Sequence, residues 1–584
     1  MKFVRRPKAL VLAAAMASVA SPLMAQAVPG NLAPTREEVE RTEFRPTEAP
    51  RTRLTVEGDV ERAPCPLAAP DYQNISFTVR DVSFNQLAGV PPELLRPAYA
   101  EYVGQTVPIA TVCEIRDRAA TILRREGYLA AVQVPPQEIE NGNVRFDVLM
   151  AKIVQVQVRG DAGRSEGRIA GFLDAIKDMP VFNEREAERY LLLARDMPGY
   201  DIRMTLRPAG TQPGEVVAEV AVAYTPVEVD FNVQNYGSRD VGRFGGLLRA
   251  QFNGLTGLGD RTTIGFFSTA DFEEQQVLQL AHEFGIGPDG LRLAGRFTYA
   301  WTDPSGNPAL DIKSRTLLAT AEMSYPFVRS QQGNLIGAAG LDFINQEIDI
   351  LGTTLNRDKL RVAFVRLDFD ATDPGSIGRT GNFSIAAPRW RAGGSLELRQ
   401  GLDIFDATRF VPGAIIQPSR VPGDSTSTTI RGSAYAEYRV SPEISFWLSP
   451  RAQFSGDPLY AFEEFSAGNY TVGRGYDPGT IVGDSGVGLQ AEIRGGAIVP
   501  QGANSLAFQP YAFFDAARVW NNDDGIPGSE SLYSAGAGVR ASWGDRARLD
   551  LSLAVPLKRA GLQTDRGDAR VLLSFTTRLV PWSR

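Results

Sequence analysis

The chain has 584 residues, 61 Lys and Arg against 68 Asp and Glu, and a formal net charge of −7 with a pI near 5.3. Its basic residues are scattered among acidic ones, so the one-sided basic footprint of a nucleic-acid binder is missing. The mean hydropathy of −0.16 looks soluble but does not exclude a membrane barrel, whose strands give every second residue to water.

At the N-terminus, Arg5, Arg6 and Lys8 precede an apolar run from Ala9 to Ala20, and Ala25-Gln26-Ala27 supplies small residues at a cleavage site. Residues 1–27 therefore read as a secretory signal peptide. The remaining chain holds no apolar stretch of about 20 residues, so it can span a membrane only as a closed barrel. Residues 28–70 are rich in Pro and charge and read as a linker, with one short helical stretch from Thr35 through Glu43. Cys65 lies in this linker between two prolines, and Cys113 lies on a helix. Both fall in the exported half, where a disulfide can persist. A pair and two unconnected thiols both fit the sequence.

Residues 71–152 are globular in texture. Ile75, Phe77 and Val79 alternate as a strand, and Pro91 to Val103 follows with helical spacing. Val112, Ile115, Ala119 and Ile122 then mark one face of a second helix that stops at Gly127. Strands over Tyr128–Val134 and Val144–Leu149 complete the order strand, helix, helix, strand, strand. Residues 153–227 repeat it, with Val154, Val156 and Val158 on a strand and helices over Glu166–Ile176 and Asn183–Asp196. Strands over Tyr200–Leu206 and Val216–Tyr224 follow. This is a repeat of pattern more than of sequence.

From residue 228 to 584 the period is two. Val229, Phe231 and Val233 alternate with polar neighbours, Tyr533 to Trp543 alternates with Ser534 to Ser542, and Leu549, Leu551, Leu553 and Val555 alternate with Arg548, Asp550 and Ser552. Strands of about 10 residues ending in aromatics suit lipid outside and water inside. At roughly 22 residues per strand and connection, the strand count is even and near 16.

Three stretches carry a resemblance to a known family. Gly127 to Val148, GYLAAVQVPPQEIENGNVRFDV, looks like the first polypeptide-transport-associated (POTRA) domain of two-partner secretion transporters. Asn232 to Gly246, NVQNYGSRDVGRFGG, resembles the first barrel hairpin of the same family. Val472 to Arg494 begins as a glycine-rich loop and ends as an alternating strand, and it resembles the family's inward-folding loop and the strand after it. The resemblance implies α+β periplasmic POTRA domains followed by a transmembrane antiparallel β-barrel of about 16 strands, in the outer membrane of a Gram-negative bacterium. It also implies export of a large unfolded partner protein, of adhesin or haemolysin type, taken up by strand addition to the POTRA domains. Members often carry a long N-terminal helix that plugs the barrel. The stretch at Thr35 is short and followed by prolines, so plugged and open lumens both fit. Nor does the chain end in the usual aromatic, though Trp582 stands two residues before its end.

In that family the Arg-Gly-Tyr tip of the loop enters the lumen, where its arginine pairs with an aspartate on the wall. The matching residues are Arg474, Gly475 and Tyr476, with Asp515 in the strand YAFFDAARVW. Arginine and carboxylate form a two-pronged, charge-assisted bond, and in a hydrated lumen the pair is worth only about 0–1 kcal/mol. If Asp515 faces inward, so do Tyr511, Phe513 and Val519, which makes an apolar wall unless the loop covers it. Gly483, Asp484 and Gly486, with Glu492, also match the family pattern; a polar turn opening a strand explains them equally well.

No Walker-type loop, zinc-ligand cluster or nucleophile motif is present in the sequence, and the one histidine is His282. The expectation is a non-enzymatic transporter without cofactor or nucleotide, whose partners are outer-membrane lipid and one exported protein. The alternatives are a barrel-assembly insertase, which would carry more POTRA domains, and a diffusion porin, which needs none.

Overall fold

The structure, a computed structural model, describes residues 34–40, 54–56 and 65–582, apart from 66, 68, 73, 306–310, 378–381, 501, 523–527 and 562–564. The expected signal peptide, most of the linker and positions 41–43 of the expected helix lie outside the described residues.

Sixteen antiparallel strands form a closed barrel from Val227–Gln234 to Arg570–Val580, and these two pair to complete it. Successive strands are neighbours throughout, as a meander requires. Alternation sets the faces. In Ser529–Trp543, Ser534, Arg540 and Ser542 are buried toward the lumen, while Tyr533 and Trp543 point outward and are exposed. Trp301, Phe369, Phe446, Phe454, Phe508 and Phe575 are likewise exposed on the outer face. An apolar surface of this extent is stable only against hydrocarbon. His282 pairs with Thr262 on the neighbouring strand, its Nδ1 lying 2.9 Å from the Thr262 hydroxyl.

Strand length departs from the expected 10 residues in a systematic way. The first strand has 8 residues, whereas Ile312–Arg329, Gly333–Ile350 and Thr353–Thr372 have 18, 18 and 20. The outer ends of the long strands carry Arg315 bonded to Glu347 and Asp349, both at 2.6 Å. Charge at that height places those ends in water, above the apolar band.

Two α/β units precede the barrel. In the first, Asp81–Asn85, Asn143–Met150 and Ala130–Gln133 form a sheet under the helix Thr111–Arg125. Val112, Ile115, Ala119 and Leu123 bury one helix face against Val144, Phe146 and Val148. The Gln137 side chain acts as an extra rung beside this sheet, accepting from Arg145 N–H at 2.8 Å and donating to Arg145 O at 2.7 Å. Pro91 to Val103 is not an α-helix. It forms two short 3-10 segments, Pro92–Ala98 and Ala100–Tyr102, because Pro97 lacks an N–H and blocks the α ladder. Cys65 and Cys113 are disulfide-bonded, Cα to Cα 5.9 Å, which ties the linker to the start of the helix.

The second unit orders its sheet as Leu54–Val56, Tyr200–Pro208, Glu215–Tyr224 and Lys152–Gly160, covered by Glu166–Lys177 and Glu184–Arg195. Asn183 caps the latter helix by accepting from Arg185 N–H at 2.9 Å. The edge strand Leu54–Val56 comes from the linker and pairs in parallel with Met204 to Leu206. Val154, Val156 and Val158 lie on the strand Lys152–Gly160 as expected. With a register shift between Ile153 and Gln155, however, the core side is taken by Ile153, buried, and Val156, packed against the core, while Val154 and Val158 are exposed.

The second unit sits against the periplasmic turns of the barrel. Arg329 forks onto Asp196 with two bonds of 2.6 Å, Glu188 accepts from Gln331 N–H at 2.5 Å, and Arg164 donates to Leu255 O at 2.8 Å.

Candidate functional site

The connection 456–484 does not stay outside the barrel. It folds back into the lumen as a small hairpin, Phe465–Ala467 paired with Ile481–Gly483, and its tip meets the inner wall. Close packing dictates the glycines there. A Cβ on Gly475 would lie 2.8 Å from Pro556 N and 2.9 Å from Ser534 Cβ, and one on Gly486 would lie 2.3 Å from the Phe465 ring.

Arg474 is gripped from three directions. Its backbone N–H donates to Asp515 Oδ2 at 2.9 Å, its Nε to the same oxygen at 3.0 Å, and Nη2 to Asp515 Oδ1 at 2.7 Å. Nη1 donates to Glu492 Oε1 at 2.6 Å. The guanidinium also lies 3.7 Å from the centroid of the Phe513 ring. This contact resolves the apolar wall: Tyr511, Phe513 and Val519 do face inward and are buried, with the arginine and its loop stacked over them.

Tyr476 is also buried. Its hydroxyl lies 2.9 Å from Tyr533 O and 2.7 Å from Lys558 O, and it accepts from Lys558 N–H at 3.2 Å. Phe465, Val472, Tyr476, Ile481, Val519 and Leu532 form one apolar cluster between loop and wall.

Asp515 is fully buried and Glu492 is 4% exposed. The expectation of a weak, hydrated pair is therefore corrected. The ions are sealed by the loop, and removing one partner leaves the other uncompensated at a cost of about 3–5 kcal/mol. Glu492 is more than a neighbour in this arrangement. It accepts from Arg474, from Arg494 Nε at 2.7 Å, and from Arg540 Nη1 and Nη2 at 2.9 Å each.

Asp484 fastens the base of the loop. It accepts from Leu459 N–H at 2.6 Å and Asn522 N–H at 2.7 Å, and it is paired with Arg420 of the outer connection 402–427. Gly483 packs under Val519 and Trp520. All eight residues singled out from the sequence thus lie on the loop or on the strands that hold it.

Sequence reasoning missed a second carboxylate hub. Glu463, on the descending limb of the loop, accepts from Arg399 Nε and Nη2 at 3.0 Å each and from Arg431 Nη2 at 2.8 Å. Arg399 also reaches Asp342 at 2.8 Å. Glu463 stands outside any motif, and charges in a long connection ordinarily read as solvated. No signal in the sequence marks it.

The short helix Arg36–Glu40 completes this hub. It is closed at its start by a capping box, with Glu38 N–H donating to Thr35 Oγ1 at 3.3 Å and Thr35 N–H donating to Glu38 Oε2 at 2.9 Å. Arg36 bonds Glu463 at 3.0 Å and Asp342 at 3.1 Å, and Glu37 bonds Arg451 and Ser466 at 2.8 Å each. Val39 is fully buried among Leu247, Phe267, Val277, Ile344 and Phe462. The helix therefore lies inside the lumen, held to the inward loop through Glu463 and Ser466 and to the wall through Asp342 and Arg451. Beside the helix a cavity of about 800 Å³ remains, lined by Gln279, Glu322, Arg366 and Arg399 among others.

A closed barrel with α/β units at its periplasmic mouth and a loop drawn into its lumen defines a POTRA-bearing transporter of the outer membrane. Residues 215–541 match the family of haemolysin secretion/activation proteins ShlB/FhaC/HecB, and residues 77–150 match the ShlB-type POTRA domain. The chain belongs to this family, the two-partner secretion transporters. The heme/hemopexin transporter protein HuxB of Haemophilus influenzae is 20% identical over 526 residues, covering 85% of this chain and 86% of its own. The outer membrane transporter CdiB of Escherichia coli O6:K15:H31 (strain 536 / UPEC) is 22% identical over 503 residues, covering 82% and 79%. Among solved structures, CdiB from Escherichia coli superposes with a TM-score of 0.69 at 17% identity, over 89% of this chain and 94% of that one. CdiB from Acinetobacter baumannii gives 0.62 at 16%, over 90% and 94%.

Proposed function

We propose that this transporter takes up one large exoprotein in unfolded form through its POTRA domains and exports it through the barrel, with the Arg474 loop as the gate. The observation that carries this reading is the Arg474 fork on Asp515 and Glu492. It holds a connection from the outer side inside the lumen, in a place that a chain in transit would have to occupy. The helix at Arg36–Glu40 acts as a second stopper on the same path. The cargo would bind by adding a strand to a sheet edge, where backbone hydrogen bonds give affinity without strict sequence demand. The strand Lys152–Gly160 fits that role, since it ends its sheet and exposes Val154 and Val158. Adhesin- or haemolysin-type proteins are the expected cargo, and cargo folding outside would bias movement outward.

The test compares culture medium and outer membrane from cells carrying wild type, Arg474→Ala and Asp515→Asn. Loss of one large secreted protein, with normal amounts of the barrel in the membrane, is expected for both variants. In the double variant the losses should not add, because either change breaks the same bond. Normal secretion by Arg474→Ala would sink the gate. A general fall in many barrel proteins on deleting the gene would instead favour an insertase.

A further inference from the structure

Asp477 follows Tyr476 on the outer side of the loop, and its carboxylate joins the extracellular ends of the two strands that close the barrel. Oδ1 lies 3.2 Å from Arg243 Nη1 and 2.9 Å from Arg570 Nη1, and Oδ2 accepts from Arg239 N–H at 3.5 Å. Arg239 and Arg243 belong to the connection 235–244 after the first strand, and Arg570 opens the last. The carboxylate is three-quarters buried and Arg570 nine-tenths buried, so the pair is screened less than a surface bridge.

The seam beneath it is short. The first and last strands share six paired positions, with a register shift between Val229 and Asp230, whereas Gly333–Ile350 and Thr353–Thr372 share 18. Above Gln234 one more backbone bond, Asn235 N–H to Leu573 O at 3.1 Å, ends the ladder, and the Asn235 side chain donates to Val571 O at 2.7 Å and accepts from Leu573 N–H at 2.8 Å. The loop grips the first-strand side through Asn469, bonded to Tyr236 O at 3.1 Å, and through Tyr470, whose hydroxyl accepts from Gln234 at 3.2 Å. It reaches the last strand through Asp477. Without this carboxylate, Arg243 and Arg570 are two like charges facing each other across the top of the seam, a repulsive arrangement.

We propose that Asp477 is a clasp that makes closure of the seam depend on the inward position of the loop. Withdrawal of Arg474 from Asp515 then loosens the first and last strands in the same movement. The proposal rests on the reading of this loop as a mobile gate and adds a second consequence of its movement, a widening of the barrel at its weakest join.

Hydrogen exchange on the full chain in lipid nanodiscs tests it without reference to any cargo. In Asp477→Asn, amides of 229–236 and 571–578 should exchange about three- to tenfold faster, as expected for a local opening made easier, while 335–345 on the far wall stays unchanged. Arg474→Ala should accelerate the same two segments, and Asp477→Glu should restore slow exchange. Arg570→Gln removes the ion pair from the other side, together with the 3.5 Å contact of Arg570 Nη2 with Gly237 O, and should quicken the seam at least as much as Asp477→Asn does. It keeps the proposal testable if Asp477→Asn assembles poorly. Faster exchange confined to 466–483, with the seam unchanged in both variants, would overturn the clasp and leave Asp477 as an anchor of the loop alone. Normal secretion by Arg474→Ala alongside a quickened seam in Asp477→Asn would overturn the gate and retain the clasp.

Discussion

Glu492 is shared by three guanidinium groups, and its loss would free more than the bond to Arg474. A buried carboxylate that balances Arg474, Arg494 and Arg540 is sealed by the loop itself, so each ion keeps its neighbours ordered. Glu492→Gln should weaken the closed state by about 1.5–3 kcal/mol, the worth of a hydrogen bond to a charged group, since Arg474 keeps Asp515, Arg540 keeps Asp550 and Arg494 keeps Glu437. Single-channel recording in planar bilayers would register this as far more frequent opening, and an unchanged opening frequency would remove Glu492 from the restraint. Arg474→Lys should behave almost as Arg474→Ala does, because an ammonium cannot fork onto Asp515, reach Glu492 and stack on Phe513 at once.

The helix Arg36–Glu40 is too short to be stable alone in water, and its order comes from what surrounds it. Its capping box, its bonds to Glu463, Asp342 and Arg451, and the buried Val39 supply that order. Arg36→Ala combined with Glu37→Ala should release it, raising opening about tenfold or more, as befits the loss of charged hydrogen bonds. Conductance of the double variant checks this. The helix Glu184–Arg195 docks on the barrel through Glu188, and burial raises that carboxyl above its ordinary value. The folded state therefore holds the proton more tightly than the unfolded one. The ionised form costs stability at neutral pH, and that cost is relieved as pH falls through the raised folded value toward the ordinary one. Glu188→Gln should slow hydrogen exchange in this helix at neutral pH and remove the gain on acidification. Equal protection in variant and wild type at both pH values would count against it.

Across the whole molecule, the linker passes through three fixed points. Residues 36–40 lie in the lumen, Leu54–Val56 joins the sheet of the second unit, and Cys65 is bonded to Cys113 in the first. The helix is thus tethered in sequence to both soluble units. The disulfide joins residues 48 apart in sequence, and on the chain-entropy account its loss costs the first unit about 4 kcal/mol. Replacing both cysteines by serine should make residues 77–150 digestible by protease at lower urea while the barrel keeps its resistance. Identical digestion would show that the bond constrains only the linker.

Alternation, turn residues and the order of apolar runs determined the succession of soluble α/β region and barrel, because a period of two assigns faces without knowledge of partners, and chain length put the strand number near 16. Arg474 and Asp515 were legible because their motifs match the family's loop and strand; Tyr511 and Phe513 followed from Asp515 by parity. Tertiary structure decided what crosses long sequence distances. The three-way sharing of Glu492, the Glu463 hub, the disulfide and the seat of the Arg36 helix all join residues from separate elements, and a one-dimensional pattern carries no record of which charge meets which. Local backbone chemistry made the remaining corrections, the 3-10 turns at Pro97 and the bulge after Ile153, where a missing N–H or one extra residue outweighs the periodic signal.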